Sequence, residues 1–127
     1  MKIFKEFVPH QESLELKELG FDELCFAWYS DKNIRISGMN GCVVNKPIKN
    51  SFFTDEIVTA PTFSQSFSFF RENYPELDFG VAKIYNGTNN YHYHINLQWE
   101  FFEGTYEQTE LECLRKLILI VKEKQNG

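Results

Sequence analysis

Aromatic residues between positions 59 and 74 recur with the period of a helix. Four of them are spaced by four, three and four residues, which places them in one stripe along a helix: Phe63, Phe67, Phe70 and Tyr74. Pro61 suits a first helical turn, Thr62 and Gln65 have the spacing of a capping box, and Pro75 disfavours helix at the residue before it. We therefore predict a helix over Thr59–Tyr74 whose aromatic stripe packs in the core.

Two further stretches have helical patterns. The first covers Pro9–Leu19, and Gly20 follows it where a left-handed residue can end a helix. The second covers Thr105–Lys124 and has leucine, isoleucine and valine at helical spacing along one side. Leu119 falls outside that apolar stripe, so this leucine is a candidate contact with another subunit.

Strand patterns come in two pairs. Leu24–Ser30 and Ile34–Ser37 are separated by a short polar turn and predict one hairpin. Phe79–Tyr85 and Tyr91–Phe101 are separated by the turn-rich residues 86–90 and predict a second hairpin. The last of these strands alternates throughout: one face is aromatic and aliphatic, and the other face carries His92, His94, Asn96, Gln98 and Glu100.

Residues 38–58 have no clear periodicity. Glycine, proline, asparagine and lysine interrupt them, and brief strands are expected only at Cys42–Val44 and Ser51–Phe53. The order of elements is therefore αββ, an irregular connection over 38–58, and then αββα. This order predicts an α+β fold in a single domain of residues 1–127: an antiparallel sheet of about four strands (two hairpins), with three helices packed mainly on one face.

Composition narrows the classes of partner. The 127 residues carry a net charge of −5 with both signs interspersed, which argues against a nucleic-acid-binding protein, because such a protein needs a basic patch. Three distant cysteines and no Cys-x-x-Cys indicate neither a disulfide framework nor a structural zinc site. With no signal-peptide core and no long apolar run, we expect a cytoplasmic protein that does not bind a membrane.

Few residues carry candidate chemistry. His92 and His94 would lie on one strand face, which is a spacing found in metal sites, but Glu100 lies roughly 20 Å further along an extended strand. The sequence therefore favours a polar hydrogen-bonding face over a metal site, and it predicts no cofactor. No nucleophile motif and no phosphate-binding glycine loop are present, so nothing supports an enzyme.

The start of the central helix is a second candidate for ligand binding. Thr62, Ser64 and Gln65 would offer hydroxyl and backbone N–H groups to a phosphate, with Arg71 two turns further along. Ordinary helix capping explains the same residues and is the more frequent case. Recognition of a nucleotide-type ligand at this helix start is therefore the weaker hypothesis.

Three pieces of the chain resemble a group of small phage- and prophage-borne proteins of Bacteroidetes. They lie in the first, middle and last predicted helices: Glu18–Glu23, Ala60–Thr62 with Phe67–Glu72, and Tyr106–Glu107 with Glu110–Leu117. The resemblance implies a protein made in the cytoplasm of an infected or lysogenic cell. It also implies a non-enzymatic accessory role, and it assigns no functional residue.

Three hypotheses of function follow. The first is an accessory protein that binds a host protein or associates with itself as a homodimer. The second is a protein that binds or sequesters a small nucleotide-type molecule, and the third is a metal-dependent hydrolase that uses His92 and His94. The polar face of Tyr91–Phe101 is the surface that the sequence favours for recognition.

Overall fold

The computed structural model describes residues 6–38, 46–52, 57–83, 91–102 and 104–126. In chain order the elements are helix α1 (His10–Glu18), strands β1 (Ala27–Ser30) and β2 (Asn33–Ile36), a 3-10 turn (Asn50–Phe52), strand β3 (Ile57–Thr59), helix α2 (Phe63–Asn73), strands β4 (Phe79–Lys83), β5 (Tyr91–Ile95) and β6 (Gln98–Phe102), and helix α3 (Tyr106–Asn126). The α+β class is confirmed. The described residues form two three-stranded antiparallel sheets, so the expected sheet of about four strands has too few strands.

The chain divides into two compact units, residues 1–66 and residues 67–127, and the division falls within α2. Each unit contains one of the sheets. The prediction of a single domain over 1–127 stays a prediction. Among the described residues, no helix is both long enough and apolar enough to cross a membrane.

The sheet of the first unit has the strand order β2-β1-β3. Its core consists of side chains from all three strands and from the residue after β3: Ala27, Tyr29, Ile36, Val58 and Ala60. Leu14 of α1 packs against this core. The strand β3 was not predicted, because three residues are too few to show alternation. The strand expected at Ser51–Phe53 is instead a 3-10 turn over Asn50–Phe52, and Cys42–Val44 lies outside the described residues.

Helix α1 ends as its sequence predicts. Gly20 has a φ of +98°, and its N–H donates to the carbonyl oxygen of Lys17 at 3.0 Å. The N–H of Phe21 donates to the carbonyl oxygen of Leu16, also at 3.0 Å. These two bonds are the Schellman motif, and they turn Phe21 into the interior, where it is 1% exposed.

Helix α2 begins at Phe63, later than expected, because Thr59 belongs to β3. The capping box is present: the N–H of Gln65 donates to Oγ1 of Thr62 at 3.1 Å, and the N–H of Thr62 donates to Oε1 of Gln65 at 3.0 Å. Three members of the aromatic stripe are buried and the fourth is half-buried, which confirms the stripe as core: Phe63, Phe67, Phe70 and Tyr74.

The sheet of the second unit has the order β4-β5-β6, and α3 packs against β5 and β4. The apolar stripe of α3 is buried: Cys113, Leu114, Leu117, Ile118 and Val121. A second capping box starts this helix, since the N–H of Gln108 donates to Oγ1 of Thr105 at 3.2 Å and the N–H of Thr105 to Oε1 of Gln108 at 2.8 Å. Leu119 is 46% exposed, as its position outside the stripe predicts.

Candidate functional site

The strand expected over Tyr91–Phe101 is wrong, because the chain reverses direction at Asn96 and Leu97. Both residues have positive φ, +52° and +70°, as the two central residues of a type I′ turn do. Asp78 holds the turn in place: its carbonyl oxygen accepts from the N–H of Asn96 at 2.6 Å, and its N–H donates to Oδ1 of Asn96 at 3.0 Å. The alternating pattern therefore continues across two antiparallel strands, β5 and β6.

A two-residue turn changes which side chains share a face. In β5 and β6, Ile95 lies opposite Gln98, His94 opposite Trp99, and Tyr93 opposite Glu100. Residues directly opposite each other in antiparallel strands point to the same side of the sheet. Trp99 therefore joins the histidines, and Gln98 and Glu100 leave the polar face on which the sequence places them.

The face that results carries Gly80, Ala82, His92, His94 and Trp99, and we name it the His–Trp face. The imidazole of His92 meets the indole of Trp99 edge-on, with ring centroids 4.4 Å apart and planes at 88°. The imidazole of His94 lies 4.6 Å from the same indole at 45°. Trp99 is 49% exposed, so both imidazoles pack against an indole that solvent still reaches.

Gly80 makes room for this arrangement. A Cβ atom on Gly80 would lie 2.8 Å from Nε2 of His94, which is closer than a Cβ atom approaches a neighbouring atom in proteins. The imidazole of His94 therefore lies over the backbone of β4 at Gly80, the residue that pairs with it and that has no side chain. Nδ1 of His94 is buried and makes no hydrogen bond to the described residues.

The opposite face of this sheet is core. Tyr93 and Ile95 are buried there, and the ring of Tyr91 lies 5.4 Å from that of Tyr106 at the start of α3. Burial raises the pKa of Tyr93, and the carboxylate of Glu100 adds to the effect because it disfavours a second negative charge nearby. Glu100 thus faces a tyrosine rather than the two histidines.

The candidate residues of α2 are placed differently from the His–Trp face. Thr62 and Gln65 bind each other in the capping box, and Nε2 of Gln65 also donates to the carbonyl oxygen of Leu24 at 2.8 Å. Ser64 is exposed, and the guanidinium of Arg71 lies 5.1 Å from the ring centroid of Phe79. Capping and cation–π contact account for these polar groups without a ligand.

The described residues include no group of three or more histidine, cysteine, aspartate or glutamate side chains placed to hold a metal ion. The register of β5 and β6 explains this for the two histidines, since the side chain opposite His94 is the indole of Trp99. An indole carries an N–H donor and is not a metal ligand. Among the described residues, the side chain that packs against both histidines is therefore an aromatic ring.

Sequence reasoning missed Trp99 and Gly80 as members of the candidate site. Trp99 was expected on the aromatic and aliphatic face, away from the histidines, because Tyr91–Phe101 was taken as one strand. Asn96 was the available signal, since asparagine tolerates positive φ better than most residues. Leu97 hid that signal, because a type I′ turn usually has glycine after the asparagine.

Comparisons of this chain with protein-family models, with curated proteins and with solved structures found no significant match in any of the three. The arrangement of side chains on the His–Trp face is consequently the basis for assigning a function.

Proposed function

We propose that this protein is a non-enzymatic binding protein and that the His–Trp face is its recognition surface. The observation that supports this is the half-exposed indole of Trp99, which contacts two imidazoles on the face of the sheet opposite the core. Aromatic side chains at such positions supply large contact areas at low conformational cost, and tryptophan is enriched among residues that dominate binding energy.

We further propose that this protein is a small phage-borne accessory protein that acts in the cytoplasm of its host, as the sequence resemblance implies. Its candidate partners are a host protein, a second copy of this chain and a small nucleotide-type molecule. Each requires an accessible recognition surface, and Trp99 offers one. Thr62, Ser64, Gln65 and Arg71 are left out of the proposed surface, because capping and the contact with Phe79 already engage three of them.

Fluorescence of the two tryptophans can test the proposal, because Trp28 is 7% exposed and Trp99 is 49% exposed. A Trp28→Phe variant leaves Trp99 as the sole tryptophan of the chain. It would be mixed in turn with the protein fraction and the small-molecule fraction of a bacterial lysate, and the emission of each fraction alone would be subtracted. Its own concentration would also be varied under light scattering. We expect at least one of these to shift the emission of Trp99 to shorter wavelength.

A matched control comes from the other side of the second unit. Leu119→Ala removes an exposed apolar side chain on α3, a helix that packs against the face of the sheet opposite the His–Trp face. We expect binding to survive Leu119→Ala and to be lost in Trp99→Ala. Binding that survives Trp99→Ala, or an emission that none of the three additions changes, would refute the proposed surface.

A further inference from the structure

The size of the His–Trp face limits what can occupy it. Three strands span roughly 10 Å between the outer strand axes, and five residues extend roughly 16 Å, so the whole face covers roughly 160 Å². A stable protein–protein interface buries about 800 Å² on each partner. A protein partner or a second copy of the chain would have to extend far beyond this face, whereas a molecule of one or two fused rings matches it.

The ring contacts indicate the shape of such a molecule. Both imidazoles contact the indole of Trp99, at 4.4 Å and 4.6 Å, so the orientation of the indole is set before a ligand arrives. The accessible half of the indole is then a preorganised platform for a flat ring. Stacking of a base on an aromatic side chain contributes about 1–3 kcal/mol.

Charge indicates the chemistry of the ligand. The described side chains of the His–Trp face include no lysine, arginine, aspartate or glutamate, and Glu100 lies on the opposite face. The whole chain has a net charge of −5, which repels a phosphate. A flat ring with no formal charge is therefore favoured over its phosphorylated form.

His94 indicates that the ring carries polar atoms at its edge. Its Nδ1 is buried and has no hydrogen-bond partner among the described residues. A buried polar atom without a partner raises the energy of the protein. An imidazole nitrogen can accept from an N–H or donate to a carbonyl group, depending on its protonation. If the imidazole turns so that this nitrogen reaches the edge of a ring stacked on Trp99, that hydrogen bond would favour a heterocycle over a plain hydrocarbon.

We infer that the His–Trp face binds an uncharged planar heteroaromatic ring of the nucleobase class, stacked on Trp99 with its polar edge toward His94. This inference rests on the proposed function and names the ligand class for the same surface. It differs from recognition of a nucleotide through its phosphate at the start of α2.

Titration of the Trp28→Phe variant with adenine, adenosine and adenosine 5′-monophosphate tests the inference, with fluorescence and calorimetry as readouts. Adenine and adenosine should bind with similar affinity, and the monophosphate should bind more weakly. Cyclohexanol, which is apolar but not flat, should not bind. Parallel titrations with guanosine and uridine extend the test to other bases.

Three variants separate the platform from the rest of the fold. Trp99→Ala should weaken adenosine binding by about 10-fold or more, since it removes the stacking surface. Gly80→Ala should also weaken binding, because the new methyl group displaces His94 while Trp99 remains. Leu119→Ala should leave the affinity unchanged. Circular dichroism and thermal denaturation would establish that each variant is folded, and Trp99→Leu would replace Trp99→Ala if the latter is not.

The outcomes separate this inference from the proposed function. If lysate fractions or self-association shift Trp99 emission but no base or nucleoside does so at millimolar concentration, the ligand class is wrong and the recognition surface stands. Tighter binding of the monophosphate than of adenosine would also overturn the ligand class. If neither lysate, self-association nor nucleosides affect Trp99, both proposals fail.

Discussion

The central strands of the two sheets differ in how their side chains are buried. In β1, three consecutive residues are buried, Ala27, Trp28 and Tyr29, so both faces of that strand are covered. In β5, Tyr93 and Ile95 are buried while the histidines between and beside them are half-buried. Solvent therefore reaches neither face of β1 over Ala27–Tyr29, whereas it partly reaches the histidine side of β5. The central strands of two three-stranded sheets thus differ in how far solvent reaches them.

The largest expected difference lies between the two tryptophans. Trp28→Ala should lower the free energy of unfolding by about 3–5 kcal/mol, because Trp28 is only 7% exposed and its removal leaves a cavity in the core. Trp99→Ala should cost about 1–2 kcal/mol, because half of the indole already contacts water. Urea denaturation of both variants measures the difference. Equal losses would contradict the contrast between a sheet covered on both sides and a sheet covered on one.

The two units also differ in how an asparagine side chain in a turn bonds the backbone, buried in the first unit and exposed in the second. Asn50 is buried in the first unit, where Nδ2 donates to the carbonyl oxygen of Phe21 at 2.8 Å and Oδ1 accepts from the N–H of Thr59 at 2.9 Å. Asn50→Ala should cost about 1–3 kcal/mol, because it leaves both backbone groups without a partner. Asn96→Gly in the second unit is the comparison: it keeps the positive φ and removes an exposed bond, at a cost of about 0.5 kcal/mol or less. The contrast fails if denaturation gives the two variants similar losses.

Among the described residues, each unit contains one fully buried thiol, Cys25 in the first and Cys113 in the second, and here we expect the two units to behave alike. Burial raises the pKa of Cys25 to about 11 and that of Cys113 to about 12, from an ordinary value of 9.0. Because the pKa of each thiol is higher in the folded state than in the unfolded state, each neutral thiol contributes its full stabilisation below pH 9. That contribution is lost as the pH rises toward 11 for Cys25 and toward 12 for Cys113. Each thiol should lower the free energy of unfolding by up to about 1.4 kcal/mol per pH unit in that range.

Single replacements of these thiols isolate the effect. Cys25→Ala and Cys113→Ala should each show a shallower fall in stability between pH 9 and pH 10.5 than the unchanged chain, as measured by urea denaturation. Tyrosine and lysine titrate in the same range and contribute equally to all three proteins. Parallel pH curves for the three proteins would show that the thiols are not the cause.

The smallest expected effect concerns the turn that creates the His–Trp face. Leu97 has a φ of +70° and is 80% exposed, so its side chain gains little burial in a backbone conformation that costs about 1–2 kcal/mol outside glycine. Leu97→Gly should raise the free energy of unfolding by about 1 kcal/mol. Leu97→Ala loses the same exposed side chain and keeps the backbone cost, so it should show no gain. A gain in the alanine variant would assign the effect to the side chain instead.

Patterns that depend on neighbours along the chain predict much of this fold. The Schellman motif at Gly20, the capping boxes at Thr62 and Thr105 and the aromatic stripe of α2 all follow from spacings of three or four residues, and the structure contains all of them. These features form within one helix and its ends. The two predicted hairpins are also present, since β1 pairs with β2 and β4 pairs with β5. The pairings of β3 and β6 were not predicted: β3 carries too few residues to show a period, and β6 was read as part of the preceding strand.

The candidate site was only partly predictable for a related reason. Polar and apolar residues alternate throughout Tyr91–Phe101, and the alternation continues across the turn at Asn96 and Leu97. Periodicity cannot detect this turn, because Asn96 is polar and Leu97 is apolar, as the alternation requires at these positions. His92 and His94 were therefore identified correctly as a pair on one face, and their neighbours were not. The contacts of both with Trp99 come from the pairing register, which no spacing along the chain contains.

The two-residue length of the turn at Asn96 and Leu97 also determines which side chains of β5 and β6 share each face of the sheet. If one residue were inserted before Gln98 and the turn remained two residues long, β6 would shift by one position against β5 and its two sets of side chains would exchange faces. Glu100 would then stand beside the histidines, and Trp99 would turn toward the core. The same strand sequence would present an acid and two imidazoles, a set of groups fit for metal binding or proton transfer, in place of a half-exposed indole and two imidazoles. At this hairpin, an insertion of a single residue is therefore a more direct route to a new chemistry than any substitution.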